Sequence, residues 1–156
     1  MSADWRAIGP FEKSILATLG WFAFLQIGVQ LILGRNPYTV WDWFEVWTHI
    51  IGSVVLGQVT IKFLSLPARF DKWRYWIPLL SLISVFTLGI GYEILELLIT
   101  WFSWMPADQM YATITNSFLV DMPHDFSGAC IAALIWNELV EKPRLLAQMN
   151  KRGRRS

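Results

Sequence analysis

Four long apolar runs limit what this chain can fold into. Each comes close to the roughly 20 helical residues needed to cross a hydrocarbon core about 30 Å thick. The runs are bounded by glycine, proline and basic residues that end helices. Only 16% of residues are charged, against about a quarter in ordinary soluble domains. We therefore predict an all-α fold, an integral membrane four-helix bundle forming a single transmembrane domain over residues 1–156, with spans at about 14–33, 43–66, 77–104 and 123–140.

Two of the segments outside these spans carry their own predictions. The stretch from Pro106 to Val120 is mildly apolar and long for a connector. We predict that it is an interfacial or re-entrant segment packed on the bundle, because irregular backbone is not tolerated against lipid. The tail, residues 142–156, is rich in lysine and arginine. Basic residues beside a membrane each gain about 1 kcal/mol from anionic headgroups, so we expect membrane lipids as partners and no nucleic acid.

The basic residues also predict the orientation of the chain. If both termini are cytoplasmic, all of the 13 lysines and arginines except Arg35 fall on the cytoplasmic side. Membrane proteins show this bias because lysine and arginine are retained on that side. We therefore expect the cell inner (cytoplasmic) membrane, several passes, and cytoplasmic N- and C-termini.

Acidic and histidine side chains interrupt the apolar runs. Such groups are costly inside a membrane and usually mark a functional site. With alternating span directions, those of the second, third and fourth spans meet at one depth, near the extracytoplasmic surface. Helical spacing places each set on one face of its helix. The candidate site residues are Glu45, His49, Glu93, Glu96, Asp121, His124 and Asp125.

Several chemistries fit this cluster. Histidine nitrogen with carboxylate oxygen is a ligand set for divalent metals, and bundle-core metal sites take such ligands from facing helices, so Zn, Fe, Mn or Cu is the expected cofactor. The spacing matches no known metal motif. Alternatively, the side chains satisfy one another by hydrogen bonds and shared protons. A proton or ion path is disfavoured, because the inner half of the bundle reads as almost purely apolar.

Three motifs carry a family resemblance: Glu45-x-x-x-His49-x-x-Gly52, Tyr92-Glu93-x-x-Glu96, and Asp121-x-x-x-Asp125-x-x-Gly128-Ala129. In this order they resemble the YjdF-like family of bacterial inner-membrane proteins and, more distantly, the VanZ-like family. The resemblance spans roughly residues 42–134. The Gly-Thr-Gln-Gly-Asp stretch of the family is here Ile114-Thr115-Asn116-Ser117-Phe118. The resemblance implies that these acids share one site.

Two functions follow as expectations. In the first, the extracytoplasmic carboxylate and histidine cluster is a divalent-metal site acting on a lipid or headgroup substrate, with the metal activating water. In the second, the chain is a non-catalytic accessory or structural subunit of a larger membrane complex, and the cluster only sets helix packing. No residue is assigned a catalytic role by the sequence alone.

Overall fold

The computed structural model describes residues 8–34, 41–66, 74–102, 115 and 117–153. These residues are almost wholly helical and include no strand, which confirms the all-α class. Six α-helices follow one another, some joined by five-residue π-helical turns. They are α1 (Pro10–Ala23), a π turn (Phe24–Gly28), α2 (Val29–Leu33), α3 (Asp42–Ser65), α4 (Ile77–Phe102), a π turn (Ser117–Asp121), α5 (Met122–Trp136), a π turn (Asn137–Glu141) and α6 (Lys142–Gly153).

Proline and glycine set several of the helix ends. Pro10 begins α1, where its missing N–H costs nothing because the first helical amides have no partner within the helix. Pro123 lies in the first turn of α5 for the same reason. Gly34 ends α2 in the left-handed conformation, at φ 64°. A side chain would be strained there, so glycine is the natural residue at this position.

Among the described residues, three helices are long and apolar enough to cross a membrane: Pro10–Leu33, Trp43–Ser65 and Arg74–Leu95. The first two match the predicted spans to within four residues, whereas the third ends nine residues before the predicted end at 104. The helix carrying the fourth predicted span is not among them, so that span remains a prediction. The helix itself begins earlier than expected, at Ser117, and continues into the basic tail as far as Gly153. The predicted re-entrant segment lies mostly outside the described residues, and its last residues, 117–120, are helical.

Helix α3 lies at the centre of the bundle. It packs most extensively on α5, and then on α4 and α1. Glycines allow the close approach of α3 and α5: a Cβ on Gly57 would lie 2.7 Å from Cβ of Ala132, and one on Gly128 would overlap the carbonyl oxygen of Ile50. Small residues at helix contacts are typical of membrane bundles, where close van der Waals packing drives association.

A cluster of buried hydrophobic residues lies at one end of the bundle. It contains Phe11, Ile61, Ile77, Ala132 and Trp136, and the Phe11 and Trp136 rings meet edge to face with centroids 5.1 Å apart. Because these residues come from the starts of α1 and α4 and the ends of α3 and α5, α3 runs antiparallel to α1 and α4 and parallel to α5.

Ion pairs close the same end of the bundle. Lys62 pairs with Glu12, which ties α3 to α1. Arg74 pairs with Glu141 and stacks over the Trp136 ring, 5.2 Å from its centroid. The opposite end therefore holds the start of α3, the later part of α4 and the start of α5, where the predicted site residues lie.

Candidate metal site

Helix α3 presents a polar face to α5. Glu45, His49 and Ser53 follow one another at intervals of four residues, a spacing that places side chains one above another on the same face of a helix. Burial increases along this face, because Glu45 is exposed, His49 is half-buried and Ser53 is buried. The face thus leads from the end of the bundle into the contact between α3 and α5.

His49 lies between two aspartates of the facing chain segment. Its Nδ1 is 3.2 Å from Oδ1 of Asp125, within hydrogen-bond distance. Its Nε2 is 3.7 Å from Oδ1 of Asp121. Asp121 and Asp125 are four residues apart and so lie on one face of the helix, one turn from each other. One imidazole ring therefore contacts two carboxylates, one through each nitrogen.

Asp125 is held from two further sides. The Ser53 hydroxyl donates a 2.7 Å hydrogen bond to the same Oδ1 that contacts His49. Oδ2 lies close to α4, since a Cβ on Gly89 would be 3.1 Å from it. Asp125 is only 8% exposed. Its carboxylate therefore has little freedom to turn away from His49.

Glu93 of α4 completes the cluster from the third side. It is 1% exposed, and neither carboxylate oxygen has a hydrogen-bond partner among the described residues. An isolated buried carboxylate costs several kcal/mol, so such a group is normally neutralised by a proton, an ion pair or a metal. Oδ1 of Asp121, which is 6% exposed, likewise has no hydrogen-bond partner within the described part of the chain.

Two sets of three side chains are placed to hold a cation. We call Glu45, His49 and Asp121 the outer triad, and His49, Glu93 and Asp125 the buried triad. In each, one ligand atom from every residue lies within 4.8 Å of the others. A bound ion at about 2.0–2.2 Å from each ligand would draw these atoms closer together. Because the two triads share His49, they form one continuous site.

Five of the seven candidate residues are therefore brought together. His124 belongs to neither triad; it is half-buried, and its Nδ1 has no hydrogen-bond partner among the described residues. It directly precedes Asp125, about 100° away around the helix, so the two side chains cannot share a direction. The side chain of Glu96 lies outside the described part of the structure.

The sequence analysis assigned no site role to Ser53, which holds Asp125. The spacing could have indicated such a role, because Ser53 lies one turn beyond His49 on the same helix face. A serine at such a position is usually interpreted as a packing residue. The half of the bundle that holds the Phe11–Trp136 cluster also proves less apolar than predicted. Gln58 is fully buried there and donates a 2.8 Å hydrogen bond to Oγ of Ser14.

Comparison with known proteins adds no assignment to this geometry. No family model, no curated protein and no solved structure matches the chain.

Proposed function

We propose that this chain is a metal-dependent membrane protein, which binds one divalent transition-metal ion at the shared His49 site and acts on a lipid or lipid headgroup. The single observation that carries the proposal is Glu93, a carboxylate buried to 1% exposure without a hydrogen-bond partner in the described structure and grouped with His49 and Asp125. A cation there would supply the positive counter-charge that these buried carboxylates lack. The donor set, one imidazole with carboxylates, suits Zn, Fe, Mn or Cu.

The proposed setting is the inner (cytoplasmic) membrane, with both termini cytoplasmic and the site near the extracytoplasmic surface. The distribution of basic residues supports this orientation. The helix packing supports only the grouping of the acids at one end of the bundle. The substrate is proposed to be a lipid because a site at this depth is reached from the membrane surface. The resemblance to the YjdF-like family remains an expectation and supports only the grouping of the acids.

The chemistry supplied by a bound ion would be the activation of water for attack on a headgroup phosphate. Residues of the chain have separate parts in this proposal. Glu93 and Asp125 would supply negative charge to the ion, His49 a neutral nitrogen, and Ser53 would keep Asp125 in position through its hydrogen bond. Partners that orient a ligand in this way commonly contribute 10–100-fold to metal affinity.

Metal content tests the first part of the proposal. We expect the full-length protein, purified in detergent without chelators, to contain about one transition-metal ion per chain by mass spectrometry. Glu93→Gln and Asp125→Asn should lower this content strongly. Glu138→Gln is the matched control, because Glu138 is an exposed acid in the π turn after α5, where it pairs with Lys142. Metal-free wild-type protein would contradict the proposal.

Headgroup release tests the second part. Vesicles of phosphatidic acid, phosphatidylglycerol or a glycolipid are incubated with the metal-loaded protein, and released phosphate or sugar is measured. We expect release from at least one of these lipids, with its loss in Glu93→Gln. If the protein binds metal but releases no headgroup from any of these lipids, the proposed activity on lipids is contradicted and only the proposed metal site is retained.

An accessory role in a larger membrane complex is the second candidate. One observation favours it: none of the apolar window of the helix Pro10–Leu33 is buried within the described part of the chain, so this surface is open there to lipid or to another subunit. In that case the protein would purify without metal, and Glu93→Gln would leave its incorporation into the complex unchanged. The metal analysis described above therefore separates the two candidates.

A further inference from the structure

The two triads differ in their access to solvent. Glu45 of the outer triad is exposed, whereas Glu93 and Asp125 of the buried triad are almost fully covered. His49, the residue they share, is half-buried. Solvent exposure therefore decreases across the site, from Glu45 on one side to Glu93 and Asp125 on the other. A cation arriving from the exposed end meets Glu45 first and Glu93 last.

His49 cannot serve both triads at once as a neutral ring. Neutral imidazole has one nitrogen that carries a proton and one that can accept a metal. Here Nε2 faces Asp121 at 3.7 Å and Nδ1 faces Asp125 at 3.2 Å. The ring can thus bind a cation on one side at a time, which points to one ion with two positions and argues against two ions bound together.

The buried triad is the stronger position for that ion. Both oxygens of Glu93 lack a hydrogen-bond partner among the described residues, and a buried charge gains most from a counter-ion where water is excluded. Glu45 is exposed, so water already solvates its carboxylate. An ion therefore gains less from the outer triad than from the buried one.

We propose that the outer triad is a loading site, through which a single divalent cation passes to its resident position in the buried triad. This inference rests on the proposed function. Glu45 attracts the ion at the exposed end and, with Asp121, holds it at Nε2 of His49. The ion then moves about one helical turn, the separation of Asp121 and Asp125, while the proton of the neutral His49 ring passes from Nδ1 to Nε2, so that Nδ1 becomes the nitrogen that binds the ion. Glu45 thus determines how fast the ion enters and leaves, and Glu93 determines how tightly it is held.

Uptake kinetics test this separation of roles. The full-length, metal-depleted protein in detergent is mixed with Co²⁺, and the visible absorbance of the bound ion is followed by stopped flow. Affinity is measured separately by competition with a chelator. For Glu45→Gln we expect uptake and release to slow together by about tenfold, the lower range of effects from a local attracting charge, with equilibrium affinity unchanged. Glu93→Gln should lose affinity, and Glu138→Gln should change neither quantity.

Distinct results would overturn the inference and the proposed function. In one such result, the wild type binds Co²⁺ and Glu93→Gln loses this binding, while Glu45→Gln takes up the ion at the wild-type rate. That result overturns the loading site alone. The same holds if Glu45→Gln weakens affinity without slowing uptake, or if two ions bind per chain. No Co²⁺ binding by the wild-type protein overturns both. Elution of each variant at the wild-type position on size exclusion verifies that it is folded.

Discussion

At the scale of single residues, Glu93 is the least compensated group in the described structure. It is nearly fully buried, and both of its oxygens lack hydrogen-bond partners among the described residues. Its nearest potential ligand neighbours are His49 and Asp125, so its environment suits a bound cation better than an empty core. Local destabilisation at functional sites is common, because the geometry that binds a ligand is unfavourable without it.

The first prediction follows from the unfavourable free energy of burying the Glu93 carboxylate without a hydrogen-bond partner in the described structure. Glu93→Gln should leave the thermal stability of the metal-free protein unchanged or raise it, since the amide removes a buried acid of similar shape. The same change should abolish the rise in Tm that Zn²⁺ causes in the wild type, because a ligand that binds only the folded state stabilises it. Thermal unfolding in detergent with and without Zn²⁺ measures both effects. A large loss of stability in the metal-free variant would mean that Glu93 is a structural residue.

The second prediction concerns Ser53. Its hydroxyl donates to Oδ1 of Asp125 at 2.7 Å, so Ser53→Ala should free Asp125 to turn and lower Zn²⁺ affinity by about tenfold, the lower end of the range for such partners. Ser84→Ala is a suitable control, because within the described structure the Ser84 hydroxyl donates to the backbone oxygen of Leu80, in the same helix. Chelator competition gives both affinities. Equal affinities in the two variants would exclude a positioning role for Ser53.

At the scale of helices, the contact of α3 with α5 places both sets of ligands. Gly128 lies where α5 crosses α3, and a Cβ there would overlap the carbonyl oxygen of Ile50 and lie 2.8 Å from Cβ of Ser53. Ile50 directly follows His49, and Ser53 lies one turn beyond it, so any widening at Gly128 also moves His49 away from Asp125. Packing and ligand geometry therefore depend on the same contact.

The third prediction tests this dependence. Gly128→Ala should destabilise the protein by about 1–3 kcal/mol, as overpacking in a tight contact does, and should weaken metal binding because the ligands on α3 and α5 are pushed apart. Gly20→Ala is the matched control, since a Cβ on Gly20 meets nothing within 4 Å. Chemical unfolding and metal affinity are measured on both variants. Normal metal affinity in Gly128→Ala would show that the site tolerates a wider helix contact.

At the scale of the whole molecule, the described helices form a bundle with two unlike ends. One end holds the aromatic core and the Lys62–Glu12 and Arg74–Glu141 pairs. The other holds the two triads. Charge pairs at one end and uncompensated acids at the other are consistent with a structural end and a functional end.

The fourth prediction is the membrane topology. Cys130 is the only cysteine, so Cys130→Ser gives a background for single cysteines. In it, Asn150→Cys on α6 should react with a membrane-impermeant maleimide only after the cell interior is opened. Thr115→Cys, in the segment between the third and fourth predicted spans, should react in intact cells. The opposite pattern would reverse the predicted orientation.

The sequence by itself determined much of this arrangement. The lengths of the apolar runs predicted the first three spans, because crossing a hydrocarbon core requires a set number of helical residues. Alternating span directions then brought Glu45, His49, Glu93, Asp121 and Asp125 to one end. The four-residue spacing of His49 after Glu45, and of Asp125 after Asp121, placed each pair on one helix face. All of this information is contained within single helices.

Only the tertiary structure decided how the helices are turned toward one another. Helical periodicity defines a polar face but not the neighbour it meets, because that rotation is set by contacts such as Gly128 against Ile50. The rotation places His49 between two aspartates, covers Glu93, brings Ser53 to Asp125, and leaves His124 out of both triads. The continuous helix from Ser117 to Gly153 was also missed, since its acidic and basic residues interrupt the apolar pattern that would have revealed it.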